Sequence, residues 1–153
     1  MGANAYSFGD VTCSIQGPNG SFELGSGAGA ADEGISVEMI EDKGTMTMGA
    51  GGEVMHSLHV SKAGRITVRL LKTSRANQLL QAMYQADTSS SALYGGNTIV
   101  IRDVARGDVV VASQVAFQKL PNNAWSKDGN ILEWAFNCGE VDMRLGTGTP
   151  ARI

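Results

Sequence analysis

His56, His59, Cys13 and Cys138 are the residues whose types could bind a soft metal or supply a nucleophile. A zinc site needs three or four ligands at strict spacing. The histidines lie three apart, which on a strand turns them to opposite faces, and the cysteines are distant in sequence. We therefore read the histidines as ordinary polar or interface residues. The cysteines read as two small buried thiols of a reducing compartment. There is no Gly-x-Ser-x-Gly elbow and no Gly-Lys dipeptide, so neither a hydrolase nucleophile nor a Walker-type phosphate loop is expected. Gly25, Gly27 and Gly29 imitate a dinucleotide loop. Ala30 and Asp32 stand where its third glycine belongs, and no helical stripe follows, so the stretch reads as a mobile linker. Asn19-Gly20-Ser21 and Arg106-Gly107-Asp108 resemble a glycosylation and an adhesive tripeptide. Both fall between strand patterns, where turn chemistry accounts for them. The expectation is of no catalytic residues, no cofactor, no metal and no small-molecule substrate.

The methionines carry more information. Met83 and Met143 fit core positions. Met46 and Met48 sit in Thr45-Met46-Thr47-Met48-Gly49-Ala50-Gly51-Gly52, an excursion where a lone domain has little core to offer. Unbranched, adaptable side chains there suit contact with a partner surface.

Short strands punctuated by glycine turns must position these residues. Phe8 to Gln16 reads as a strand. It ends at Gly17-Pro18-Asn19-Gly20, where Asn19-Gly20 suits a tight hairpin into Ser21–Leu24. Gly25 to Ala31 reads as a flexible loop. Ile35, Val37 and Met39 alternate with Ser36 and Glu38; Ile66, Val68 and Leu70 alternate with Arg65, Thr67 and Arg69. Between these two strands lies the excursion, residues 42–52, followed by extended structure from Val54 to Val60. One helix is expected at about 74–87, capped by Thr73 or Ser74, with Ala76, Leu79, Leu80, Met83 and Ala86 on its apolar face. Strand Thr98–Asp103 leads through the turn at Arg106-Gly107-Asp108 to a return strand with Val109, Val111, Val115 and Phe117 on one face. Lys127-Asp128-Gly129-Asn130 reads as a third hairpin turn. Leu132, Trp134, Phe136 and Cys138 then face one way, and Val141, Met143 and Leu145 close the pattern. The tail from Gly146 reads as unpacked. The fold class is mainly β: an antiparallel sandwich or partly closed barrel with one flanking helix.

The chain has 153 residues, which suits a single domain spanning 1–153 with flexible termini. Hydrophobic residues at 42% suffice for a core, and the formal charge of −3 argues against a protein that grips phosphates. Twenty glycines are an excess without a collagen period. Those in Gly25–Gly34 and Gly44–Gly52 are costly to order alone, so both segments are expected to gain order against neighbouring molecules.

Several stretches resemble bacteriophage tail tube proteins of contractile-tailed phages. The most specific are Glu41 to Gly52, Met55-His56-Ser57-Leu58 and Thr67 to Ser74; Asn97-Thr98-Ile99, Phe117-Gln118-Lys119 and Trp134 to Gly139 are also similar. The resemblance runs from about Asp10 to Gly146, with Arg75 where proline is expected. It implies a subunit that forms hexameric rings stacked into a hollow tube. Its implied partners are tail sheath, tape-measure, baseplate and tail terminator proteins. It implies location in the virion after assembly in the host bacterial cytoplasm, and a conduit for DNA ejection that does not bind DNA specifically. Tubes of headless devices, pyocins or type VI secretion systems, would look the same. The loop that reaches neighbouring subunits and rings would include Asp42, Lys43, Thr45, Met46, Thr47 and Met48. Ser36, Glu38, Thr67 and Arg69 would line either the lumen or the outer wall. A ring of six would carry six times the formal charge of −3, which disfavours DNA binding, although a lumenal Arg69 would oppose this locally.

Overall fold

The computed structural model describes residues 5–25 and 30–148. Nine strands and one helix follow one another as β1 (Val11–Gly17), β2 (Gly20–Glu23), β3 (Ala30–Met39), β4 (Gly44–Met48), β5 (Val54–Leu58), β6 (Gly64–Leu71), α1 (Ala76–Asp87), β7 (Asn97–Asp103), β8 (Asp108–Lys119) and β9 (Ile131–Arg144). Seven strands form one antiparallel sheet in the order β2-β1-β7-β8-β9-β6-β3, while β4 and β5 pair only with each other. The mainly-β expectation with a single flanking helix holds.

The sheet is open at β2 and β3 but curls on itself. Neighbouring strands lie about 4.8 Å apart, so β7 and β3, four ladder steps apart, would be about 19 Å apart in a flat sheet. Instead Val11 of β1 and Ile101 of β7 line a cavity of about 220 Å³ together with Ile35 and Val37 of β3. Side chains close the seam where no ladder does. Tyr6 and Phe8 line the same cavity. Gly34, at φ +62, presents a bare backbone so close to Phe8 that a β-carbon would stand 3.4 Å from its ring.

Period-two alternation fills the interior. Ile66, Val68 and Leu70 of β6, with Leu132, Trp134, Phe136 and Cys138 of β9, are buried together in one core with residues of β1, β7, β8 and α1. Phe117 of β8 meets Tyr84 of the helix edge-on at 5.6 Å, lies edge-on to Trp134 at 5.9 Å and is tilted against Phe136 at 5.0 Å. Trp134 Nε1 donates to Asn77 Oδ1 at 3.0 Å, fixing the other end of α1.

Several local expectations are corrected. Phe8–Asp10 is a 3₁₀ turn capped by Ser7, so β1 begins at Val11. The β1–β2 turn residues are Pro18 and Asn19, because Gly17 pairs with Gly20. Proline presets the backbone there, and Asn19 is freed to donate to Asp87 at 2.6 Å. Strand β3 takes in Ala30 and Ala31, expected as loop; residues 26–29, and with them Gly27 and Gly29, lie outside the described residues. The helix is Ala76–Asp87, and its N-cap position is held by Arg75, which makes no side-chain cap bond, instead of Thr73 or Ser74; Ser74 Oγ accepts from Ala76 N–H at 3.2 Å. Its buried stripe is Ala76, Leu80, Met83 and Asp87, with Leu79 exposed. Residues 120–130 form a long link between β8 and β9 instead of a tight turn. Gly146 is exposed but tethered: its N–H donates to Asp108 Oδ1 at 2.7 Å. Residues 149–153 lie outside the described residues.

The face expected for β8 fails for a definite reason. Val115 and Phe117 point inward, but so do Val110 and Ala112, whereas Val111 is exposed and Val109 half-buried. Gln114, at φ 55, breaks the alternation. The partner strand changes parity at the same level, from Cys138 to Val141. Met143 and Leu145 share the parity of buried Val141 but are exposed, not core, because they lie at and past the end of β9. Gly139 lies against this break, and a β-carbon there would collide with the Gln114 side chain.

Polar groups buried with the core are tied in pairs. Asp87 accepts from Asn19 and Asn97 Nδ2, each at 2.6 Å. Arg106 is buried, donating to both oxygens of Asp103, to Asp10 and twice to the Ala5 carbonyl. The Arg-Gly-Asp stretch is thus a structural turn, with Gly107 at φ 88. Both cysteines are free and buried. Burial pushes the Cys13 thiol up to about 12, with Glu23 adding to it, and Cys138 up to about 11 against a backbone hydrogen bond from Ile66.

Two stability predictions follow from this packing. Replacing Asp87→Ala strands two amide donors and should cost about 2–3 kcal/mol, seen as a lower urea midpoint with unchanged slope. Gly139→Ala should cost about 1–3 kcal/mol, and most of that loss should vanish when it is combined with Gln114→Gly. Additive losses in that double-mutant cycle would show that the two positions do not share the space.

Candidate functional site

Two surfaces remain once the core is accounted for. The first is the β4–β5 hairpin. The alternation Thr45-Met46-Thr47-Met48 zips against Val54 to Leu58 in strict register: Gly44 with Leu58, Thr45 with Ser57, Met46 with His56, Thr47 with Met55, Met48 with Val54. Gly49 N–H donates to the Glu53 carbonyl at 2.8 Å across the tip, and His59 N–H to the Lys43 carbonyl at 2.8 Å at the base. The excursion is therefore a regular hairpin and not a glycine loop.

Because partners across a ladder share a face, the hairpin sorts its residues. One face carries Met46, Met48, Val54, His56 and Leu58; the other carries Thr45, Thr47, Ser57 and Met55. Beyond each other, β4 and β5 pack appreciably against no other element among the described residues. Met46 is 59% exposed, Met48 63% and Leu58 79%. The two histidines separate, as expected for strand spacing: His56 stands on the apolar face, and His59 Nε2 lies 3.4 Å from Thr45 Oγ1. Asp42 and Lys43 stand at the base, lining a concavity with Met39, Lys62, Met143 and Arg144. The six residues expected on an assembly loop are thus divided among an apolar face, a polar face and a base.

The second surface is the outward side of β3, β6 and β9. Ser36, Glu38, Thr67 and Arg69 come together there, as their alternation predicts, in a polar concavity of about 660 Å³. Arg69 Nη1 donates to Ser36 Oγ at 3.3 Å, and its Nε lies 3.4 Å from Glu133 Oε2. Arg65, Gln118, Lys119, Asn123 and Glu133 share the concavity and escaped the sequence reading. Arg65 was visible in the β6 alternation. The others enter because β9 pairs with β6 and because the register shift after Phe117 sets Lys119 opposite Ala135. On the rim, Lys72 donates to Asn123 Oδ1, the Ala124 carbonyl and Asn130 Oδ1, and lies 4.7 Å from the ring of exposed Trp125.

Known proteins resemble this chain in sequence or in fold. "Structural protein ORF10" of Pseudomonas phage KPP10 is 23% identical over 115 residues, 75% of this chain and 66% of the relative. The chain thus spans slightly less than two thirds of that relative's length. Among solved structures, a chain of the sheath/tube terminator of the extracellular contractile injection system PVC superposes at a TM-score of 0.57, with 15% identity, 88% of this chain and 92% of that chain covered. A chain of the PVC sheath–tube complex gives 0.54, with 15% identity and 87% and 88% coverage. A chain of the anti-feeding prophage baseplate gives 0.56, with 12% identity and 94% and 97% coverage. At these identities the likeness is one of fold. The model of the family described as "Bacteriophage PhiTE tail tube protein" matches residues 3–146, and this chain belongs to that family.

Proposed function

We propose that this chain is the repeating unit of a tail tube: copies associate into hexameric rings, the rings stack, and the bore conducts DNA out of a contractile-tailed phage. The observation that carries the reading is the β4–β5 hairpin, a well-formed ribbon with an apolar face that no other element among the described residues covers. Such a face is worth about 1.5–3 kcal/mol for each large side chain it buries, and a second copy of the chain is an occupant present at high local concentration. Asp42, Lys43, Thr45, Met46, Thr47 and Met48 form the contact to the next subunit or ring, with Met46 and Met48 on its buried side.

Size supports a shared bore. A barrel needs roughly sixteen strands before water fills it, more than this chain possesses, so several copies must contribute. The open edges β2 and β3 are where strands of neighbours can join without leaving bare amides. Ser36, Glu38, Thr67 and Arg69 then line the lumen. A phage tail tube protein is a structural component of the virion, and in this reading its partners are sheath, tape-measure, baseplate and terminator proteins, with assembly in the host bacterial cytoplasm. The structural neighbours from contractile injection systems favour a second reading, the tube of a headless device; co-purification with a capsid would decide for the phage.

Purified protein should form rings or tubes in negative-stain micrographs. Met46→Asp with Met48→Asp should abolish them and leave a monomer with unchanged circular dichroism and urea midpoint. Assembly by that variant at wild-type concentration would remove the hairpin from the interface.

A further inference from the structure

The concave polar face shows a regular charge pattern. Strand β6 carries two outward arginines, and the ladder sets a carboxylate beside each. Arg65 stands opposite Glu38 of β3, and Arg69 opposite Glu133 of β9. Between them Thr67 is flanked by Ser36 and Ala135, both small and uncharged. The depths differ in a consistent sense. Both arginines are half-buried, and both glutamates are exposed. For Arg69 and Glu133 the side chains are 23% and 61% accessible, and Arg69 is further held by Ser36. Anything approaching this face meets the carboxylates before the guanidiniums. Lys119, opposite Ala135 on the rim, stands outside the pattern.

Arg69 forms an ion pair with Glu133, whereas Arg65 Nε donates to Asn137 Oδ1 at 3.5 Å and has Glu38 as its ladder neighbour. Exposed ion pairs contribute little to stability, so the placement of the carboxylates matters most for what passes over the face. An unpaired arginine is a planar donor fork suited to a phosphate, and each neutralised phosphate adds a salt-dependent increment of affinity. Repeated around every ring, two free arginines per subunit would turn a conduit into a binder. We propose that Glu38 and Glu133 are charge masks for Arg65 and Arg69, letting the concave face meet duplex nucleic acid without holding it. This rests on the reading of that face as the lumen wall, and it accounts for an arginine in a bore through which a polyanion must move.

The test uses assembled tubes and a fluorescent duplex oligonucleotide present during assembly at about 50 mM salt, where phosphate contacts are strong. Wild-type tubes should retain little duplex on sedimentation. Glu38→Gln with Glu133→Gln should retain about tenfold more, the excess falling steeply as salt is raised to about 200 mM. Adding Arg65→Gln and Arg69→Gln should return retention to the wild-type level. If the double glutamine variant retains no more duplex than wild type, or if the excess survives loss of both arginines, masking is wrong. Where that variant fails to assemble, the same comparison on free subunits by fluorescence anisotropy decides it by the same two outcomes. The lumen reading is tested apart, with Thr67→Cys against the buried native cysteines. Tubes should react with a small maleimide but not with a dextran-linked one. Reaction with both places the face outside the bore, whatever the duplex result.

Discussion

The contact on which the rest depends is Phe117 wedged between the helix and the sheet. Its ring meets Tyr84 of α1 on one side and Trp134 and Phe136 of β9 on the other. Burying aromatic rings of this size contributes more per residue than any other side chain here, and the arrangement draws Leu80 and Met83 onto the same interior. With the helix committed there, the sheet must curl so that β3 and β1 share what remains of the core. Phe8 and Gly34 complete the closure at the seam.

That economy of core explains where the polar wall and the exposed hairpin lie. The inward residues of β6 and β9 are consumed by the interior, leaving their outward rows as a polar wall. The hairpin β4–β5 springs from between β3 and β6 and lies beyond the reach of that interior. Its methionines, Leu58 and Val54 stay exposed because the hairpin packs appreciably against no other element among the described residues. A large exposed apolar face on an otherwise well-packed domain is the signature of an interaction surface.

Buried charge is used to hold chain segments that the core does not reach. Arg106 joins the β7–β8 turn to the N-terminal segment through Asp103, Asp10 and the Ala5 carbonyl. Although burial works against the guanidinium charge, the hydrogen bonds and charges of Asp103 and Asp10 outweigh it and raise its pKa. Asp87 ends the helix and holds both the β1–β2 turn and the start of β7. Asn97 Oδ1 is the buried side-chain polar atom left without a partner among the described residues, which is a cost the Asp87 anchor must outweigh.

Period-two alternation by itself determined the inward rows of β6 and of β9 from Leu132 to Cys138, and with them the polar set Ser36, Glu38, Thr67 and Arg69. It did so because burial on one side of a pleated strand leaves a direct mark on residue type. The helix was legible for the same reason, except that Asp87 replaced an apolar residue in the stripe by satisfying its charge through two asparagines distant in sequence. Other features were decided only by tertiary structure. The parity break at Gln114 and Gly139 depends on two strands meeting, so neither strand announces it alone. The division of the hairpin into an apolar and a polar face needed the register that sets Met46 against His56. The placement of Glu38 beside Arg65 and of Glu133 beside Arg69 needed a sheet order in which β6 lies between β3 and β9. Local sequence records which side of a strand meets water; which charges meet across that side is fixed by strand order and register, and those belong to the whole chain.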